Sequence, residues 1–222
     1  MYIYSFSNYT DIPTDNLSDK KKLLIKRFNR TDNFINLALL GAQRCMKDIK
    51  INKDSSIYIS SKNGNMNSTI KVLEAIFLEN KLPMPFNFLN SVNASTLFFI
   101  AQNFNIEGKT IFINNFESAI VQAYIDVLNN KTTLIGNVDE AISDCELRQK
   151  RFKSKDIKEY SRWLLISSNS LTEKPIAKIS DIKLTTDNKS PNDITNLFDF
   201  LESSSSSFNF IGKNLSLNIT KL

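Results

Sequence analysis

Between Ile57 and Val138, short β-branched runs alternate with longer apolar segments of helical period, and this alternation constrains the fold more than any other feature of the 222 residues. Ile57-Tyr58-Ile59 reads as a strand that stops at the Asn63-Gly64 turn. Asn67 or Ser68 then caps a helix in which Ile70, Leu73, Ile76 and Phe77 are expected to face a core. Lys81-Leu82-Pro83-Met84-Pro85 breaks that pattern, and a second helix, Val92 to Phe104, is so rich in apolar and small residues that burial on most sides is predicted. Thr110 to Ile113 is a short strand of buried type. Phe116 to Leu128 is a helix with Ala119, Ile120, Ala123, Tyr124 and Val127 inward, and Thr132 to Val138 is the next strand. Such repetition predicts an α/β protein with a mostly parallel sheet, helices on both faces and right-handed crossovers.

The flanking segments are less periodic. Tyr2 to Phe6 is a predicted strand, and Phe34 to Met46 a helix with one buried face, capped by Thr31 or Asp32. After a basic connector from Ser143 to Tyr160, Trp163 to Ser167 and Ile176 to Leu184 are expected to form a hairpin. The tail predicts a helix from about Asp193 to Leu201 capped by Ser190-Pro191, a flexible serine loop over Ser203 to Ser207, and a half-buried strand from Leu215 to Ile219. One domain is expected over residues 1–222, with its core in about 2–184 and a C-terminal extension over 185–222.

Composition removes much chemistry. There is no histidine, so Ser-His-Asp and Cys-His nucleophiles, HExxH zinc sites and imidazole bases are excluded. The five glycines are scattered, and neither GxGxxG nor GxxxxGK[ST] can be written. Cys45 and Cys145 lack metal-ligand spacing; Cys45 reads as a small core residue and Cys145 sits between two carboxylates that would raise its pKa. No metal and no cofactor are expected. The net charge of +5 favours an acidic partner. Its lysines and arginines gather at Lys20 to Lys22 with Lys26, Arg27 and Arg30, and from Arg148 to Lys158; each run is either a solvated face or a recruiter of such a partner. No nucleic-acid-binding motif accompanies them. No run of about 18 uncharged apolar residues occurs, and the start of the chain lacks a secretion-signal pattern, so a cytoplasmic protein without a membrane span is expected.

Several of these segments, taken in order, resemble the opening of β-ketoacyl synthases. They are Lys26-Arg27-Phe28, the strand leading into Ser60-Ser61-Lys62-Asn63-Gly64-Asn65, Leu73-Glu74-Ala75, Pro85 to Phe88, and Asn90-Ser91-Val92. Phe116-Glu117-Ser118-Ala119, Gly136-Asn137-Val138-Asp139-Glu140 and Pro175-Ile176-Ala177-Lys178-Ile179 extend the likeness over most of residues 2–184. The chain most resembles the short ketosynthase-like proteins of bacterial aryl polyene and polyketide clusters. The resemblance implies one thiolase-like half: a five-stranded mixed sheet with helices on both faces.

The same resemblance places a catalytic cysteine at the turn before the helix that starts near Phe116, where the helix dipole and amide donors would favour a thiolate. Here that turn is Asn114-Asn115-Phe116-Glu117-Ser118, without cysteine. Glu117 complements the helix dipole, and Asn114 or Asn115 can cap. The alternative is a vestigial pocket at Asn114 to Ser118 that binds a thioester carbonyl or pantetheine, with Asn93, Phe98 and Phe99 as neighbours. The resemblance further implies dimerisation through the edge strand Thr110, Ile111, Phe112 and Ile113, with a ketosynthase-type protein or a second copy. It also implies recruitment of an acidic acyl carrier protein. The expected role is a non-catalytic ketosynthase-like subunit, with an acyl-thioester binding protein or a structural homodimer as alternatives.

Overall fold

The computed structural model describes residues 1–11, 17–47, 49–142, 159–185 and 191–222. Cys145, the run Arg148 to Lys158, Ser190 and most of the Ser143 to Tyr160 connector, all named above, lie outside them. The first strand, β1 (Tyr2–Asp11), is followed by α1 (Leu17–Lys22) and α2 (Asn33–Met46). The alternating middle then gives β2 (Ser56–Ser60), α3 (Met66–Phe77), α4 (Pro85–Ser91), α5 (Asn93–Phe104), β3 (Thr110–Ile113), α6 (Phe116–Leu128) and β4 (Thr133–Asp139). The chain closes with β5 (Glu159–Ser167), β6 (Ala177–Leu184), α7 (Ile194–Glu202), β7 (Ser207–Ile211) and β8 (Leu215–Lys221).

One sheet contains all eight strands in the order β3-β2-β4-β5-β1-β6-β8-β7. The expected five strands are therefore too few, and the sheet is mixed but not mostly parallel. Only β2 with β3 and β2 with β4 pair parallel, and the other five pairings are antiparallel. Three departures from the sequence reading shape this sheet. β1 is ten residues long, because Ser5 and Ser7, polar interruptions in the sequence, donate their hydroxyls to the α2 carbonyls of Cys45 and Gly41 and are buried without penalty. β5 and β6 are not a hairpin: β1 lies between them, antiparallel to both. The serine run ends in a strand, since Ser207 opens β7, which pairs with β8 and carries the tail into the sheet.

Side chains alternate across the sheet as the strand period requires. Ile57, Ile59, Leu134, Val138, Trp163 and Leu165 meet α2 and α5 on one face. Tyr58, Ile135, Leu164 and Ile166 meet α6 and α7 on the other. Trp163, fully buried, lies opposite Gly136 in register, and a Cβ on Gly136 would stand 2.6 Å from its ring. The space a glycine leaves is what admits the indole there.

Two helices exchange the roles expected of them. α2, predicted to have one buried face, is buried nearly all round, because α5 and the sheet cover it on two sides and α1 leans on it as well. Its cap is Asp32, which accepts from the amide of Ile35 at 2.9 Å. α5, predicted to be buried on most sides, buries only Thr96, Leu97 and Ile100, and Phe98 is 60% exposed. α3 likewise turns Leu73, Ile76 and Phe77 outward and buries Ser68 and Val72. Its cap position is Asn65, ahead of Asn67 and Ser68, and Pro85 does not simply break a helix but opens α4, where a missing N–H costs nothing. Among the described residues no helix is long and apolar enough to cross a membrane.

Candidate functional site

The three parallel strands β2, β3 and β4 end side by side, and in sheets of this kind the crevice beyond their carboxyl ends is where ligands bind. A cavity of about 190 Å3 lies there. β2 contributes Ser61 and Lys62 just beyond its end, β4 contributes Asn137, and the turn after β3 contributes Asn114, Asn115, Phe116 and Glu117. The remaining wall comes from the tail: Asn192, Asp193 and Ile194 at the start of α7, and Phe210 of β7. The turn singled out in the sequence thus faces a real hollow, bordered by the N-termini of α6 and α7.

Asn115, Phe116 and Glu117 each have a defined task. Asn115 caps α6 by accepting from the amide of Ser118 at 2.8 Å. Phe116 is buried and packs on Phe198 of α7, with ring centroids 6.2 Å apart. Glu117 reaches back to the β7–β8 turn, where it accepts from the amides of Lys213 at 2.8 Å and Asn214 at 2.7 Å. A Cβ on Gly212 would come within 2.6 Å of that carboxylate, so a larger residue there would push the Glu117 side chain aside. Glu117 therefore fastens the tail across the start of α6. Ser118 faces a second hollow, of about 220 Å3, with Val121, Gln122 and Leu184.

The three proposed neighbours stand apart from the cavity. Asn93 accepts from the amide of Asn65 at 3.1 Å and presses on Gly64, whose φ is +59°. Phe99 packs edge-on against Phe98 and against Phe28 on the α2 side of the sheet, the face away from α6. Sequence reasoning missed Lys62, Asn137, Asn192, Asp193 and Phe210 as cavity residues. For Asn137 a signal existed: Gly136-Asn137 lies near the carboxyl end of a parallel strand, as Ser60-Ser61 does. For the tail residues none did, since only the folding of β7 and β8 onto the sheet brings them there.

Most polar groups around the cavity bond to one another. Ser61 donates to Asp139 at 2.7 Å and accepts from the amide of Gly64 at 2.7 Å. Asp139 also receives the amides of Lys62 and Asn63 and the hydroxyl of Tyr160, so the pair is committed to holding the loop after β2. Burial, and then the facing Asp139, push the Tyr160 phenol far above its ordinary value. Cys45 lies deep in α2, where burial raises its thiol to about 12 and leaves it inert. Asn137 donates to Ser60 at 3.0 Å, while its amide oxygen has no partner among the described residues.

Beyond the end of β4 is a buried acidic cluster. Glu140 accepts from Asn33 and from the Asn67 amide at 3.4 Å, and Glu159 is paired with Lys20 and accepts from Asn33 at 2.6 Å. Burial first, and the Asp32 charge second, raise the Glu140 carboxyl to about 7. Among the described residues no group of three or more Asp, Glu, Cys or His is placed to hold a metal ion.

No family model matches the sequence, and no curated protein matches it either. Solved structures do match the fold. A chain from the complex of a ketosynthase with its chain length factor from Xenorhabdus doucetiae superposes with a TM-score of 0.66 at 12% identity, covering 98% of both chains. The ishigamide ketosynthase/chain length factor gives 0.69 at 11% identity, over 84% of this chain and 67% of that one. A type II polyketide synthase acyl-carrier protein complex with its ketosynthase gives 0.54 at 10% identity, over 75% and 58%. The eight-stranded mixed sheet with its two helical layers thus shares the fold of these ketosynthase structures.

Proposed function

We propose that this chain is a non-catalytic β-ketoacyl synthase-like subunit of a bacterial fatty-acid, polyketide or aryl polyene pathway, working in the cytoplasm beside a ketosynthase-type partner. One observation carries the reading: among the described residues, the β3 flank of the molecule has an open edge and apolar side chains on its outside. β3 ends the sheet, with Thr110 and Ile111 exposed and Phe112 and Ile113 half-buried. α5 packs on β3, α4 on α5 and α3 on α4, and together these helices expose Leu73, Ile76, Phe77, Phe86, Phe88 and Phe98. A bare edge next to an apolar surface of this kind is an interface awaiting its other half. Ketosynthase complexes with a chain length factor and with an acyl-carrier protein stand among the structural neighbours, which supports a ketosynthase-type partner and a carrier protein. The absence of histidine, and of cysteine at the Asn114 to Ser118 turn, supports a role without condensation chemistry.

Co-expression with a ketosynthase from the same source tests the reading. A stoichiometric complex that Ile111→Arg abolishes is the expected result; a chain that captures neither ketosynthase nor carrier protein overturns it. The cavity of about 190 Å3 favours a second reading, an acyl-thioester binding protein, because the turn is not filled by side chains. That reading predicts saturable binding of an acyl thioester that Asn137→Leu removes, and it fails if calorimetry detects no heat.

A further inference from the structure

β1 and β6 pair over two residues only, Tyr2 with Lys178 and Ile3 with Ala177. The Ile176 amide still donates to the Ile3 carbonyl at 2.8 Å, but Pro175, the next residue back, has no N–H, and the segment before β6 parts from β1 there. The parting opens a hollow of about 390 Å3, larger than the two beside Glu117. It lies apart from the strand-end cavity. Ser5 and Phe6, which line it, stand opposite Leu165 and Leu164 of β5, and those face Leu134 and Ile135 near the start of β4. An irregularity of β1 builds the floor: Tyr4 is passed over in the register between Ile3 and Ser5, a bulge that turns Tyr4 and Ser5 toward the α2 side together. Their hydroxyls already donate to the Asn169 and Cys45 carbonyls, so with Phe6, Ile49 and Ile176 the floor is mainly apolar. Charge comes from the rim, where among the described residues two exposed cations, Lys47 and Lys174, stand with one carboxylate, Glu173. Lys47 is held there under strain. The Met46–Ile49 turn is closed by the Ile49 amide donating to the Met46 carbonyl at 2.8 Å, and its second residue, Lys47, has φ 45° and ψ −119°, a turn position that glycine fills freely. Burial of Ile49, and the Lys47 amide donating to the Gln43 carbonyl at 2.9 Å, keep it so.

We propose that this notch is a binding site for a small organic monoanion with an apolar body, its carboxylate held by Lys47 and Lys174 and its aromatic or branched part lying on Tyr4, Phe6 and Ile49. The site is independent of the functional reading above, since it uses neither the β3 flank nor the Asn114 to Ser118 turn. Its size falls within the roughly 300–1,000 Å3 of small-molecule sites, and its make-up is theirs as well: an apolar floor with a few charges that fix orientation. A bare inorganic anion would leave the floor uncovered. A neutral ligand would gain nothing from the lysines, and a dianion would meet Glu173. A lysine kept at a glycine position on the lip of a hollow is the observation that points to a ligand, because strain of this kind persists where a side chain has a task.

The test titrates the full chain with 3-phenylpropionate, with 3-phenylpropanamide as its neutral counterpart, and with sulfate, read by calorimetry and by amide NMR shifts. Saturable binding of 3-phenylpropionate that shifts the Ser5, Lys47 and Ile176 amides, at least tenfold weaker for the neutral compound and absent for sulfate, is the expected result. Lys47→Gly, Lys47→Met and Lys174→Met should each weaken it at least fivefold. Both lysines are exposed, and circular dichroism of each variant verifies folding. Unfolding midpoints separate the task of Lys47 from its strain: Lys47→Gly should raise the midpoint by freeing the backbone, while Lys47→Met leaves it in place. A raised midpoint in Lys47→Gly with binding untouched would make the lysine a bystander and overturn the proposal. Equal binding of acid and amide, binding by sulfate, shifts confined to Asn114 to Ser118, or no saturation at all each overturn it too. None of these outcomes touches the ketosynthase-partner reading, which co-expression tests separately.

Discussion

α2 and α3 are both apolar helices, and they end in opposite situations. Nearly every side chain of α2 is covered by its own chain, whereas α3 turns Leu73, Ile76 and Phe77 to the outside, Phe77 with 72% of its surface open. Apolar periodicity records that a face needs cover. It does not record whether the cover is another part of the chain or another molecule. The difference lies in place: α2 sits over the middle of the sheet under α5, while α3, α4 and α5 line the flank where, among the described residues, β3 has a neighbour on one side only.

Mutations should separate the two regions. The largest effect is expected in the covered one: Trp163→Ala leaves a cavity between α2 and the sheet and should cost about 3–5 kcal/mol, read as a lower denaturant midpoint. An unchanged midpoint would mean that the indole is not packed as described. Next comes Glu140, at the rim of the covered region with Asp32, Glu159 and Lys20 around it. Its carboxyl, raised to about 7, holds a proton in the folded chain that the unfolded chain gives up near its ordinary value of 4.5. Stability is therefore intact below that value and declines as pH rises through about 7. Glu140→Gln should match the wild type at pH 4 and exceed it by roughly 3 kcal/mol at pH 8, given ~1.4 kcal/mol per pH unit. Equal stability at both pH values would place the carboxyl in water.

A smaller loss, about 1–2 kcal/mol, is expected for Glu117→Ala, which frees the Lys213 and Asn214 amides. Faster hydrogen exchange of those two amides reports it; unchanged exchange would return Glu117 to a mere dipole partner of α6. The smallest effect belongs to the open flank. Phe77→Ser should shift the stability of the isolated chain by no more than about 0.5 kcal/mol, because there is little packing to lose. A loss comparable to that of Trp163→Ala would show that the flank is covered by the chain itself.

What the sequence made legible follows from this contrast. The helix Phe116 to Leu128 was readable to the residue, because Asn115 provides a local cap and the inward positions repeat cleanly. The turn facing the cavity was readable because strand ends and helix starts are local events. The length of β1 was not, since Ser5 and Ser7 look solvent-facing until α2 supplies carbonyls for them. Nor was the far wall of the cavity: Asn192, Asp193 and Phe210 arrive through pairings of β7 and β8 that no local pattern announces. The outward turn of α3 was hidden for the same reason, as it depends on where the sheet ends.

The central claim is that the open flank is covered by a partner across β3. Hydrogen exchange of the Thr110–Ile113 amides and of α3, measured with and without a ketosynthase-type partner, tests it most directly. The account predicts strong protection of both on mixing, lost in Ile111→Arg. Exchange that is the same with and without the partner, and independent of the chain's own concentration, would contradict it.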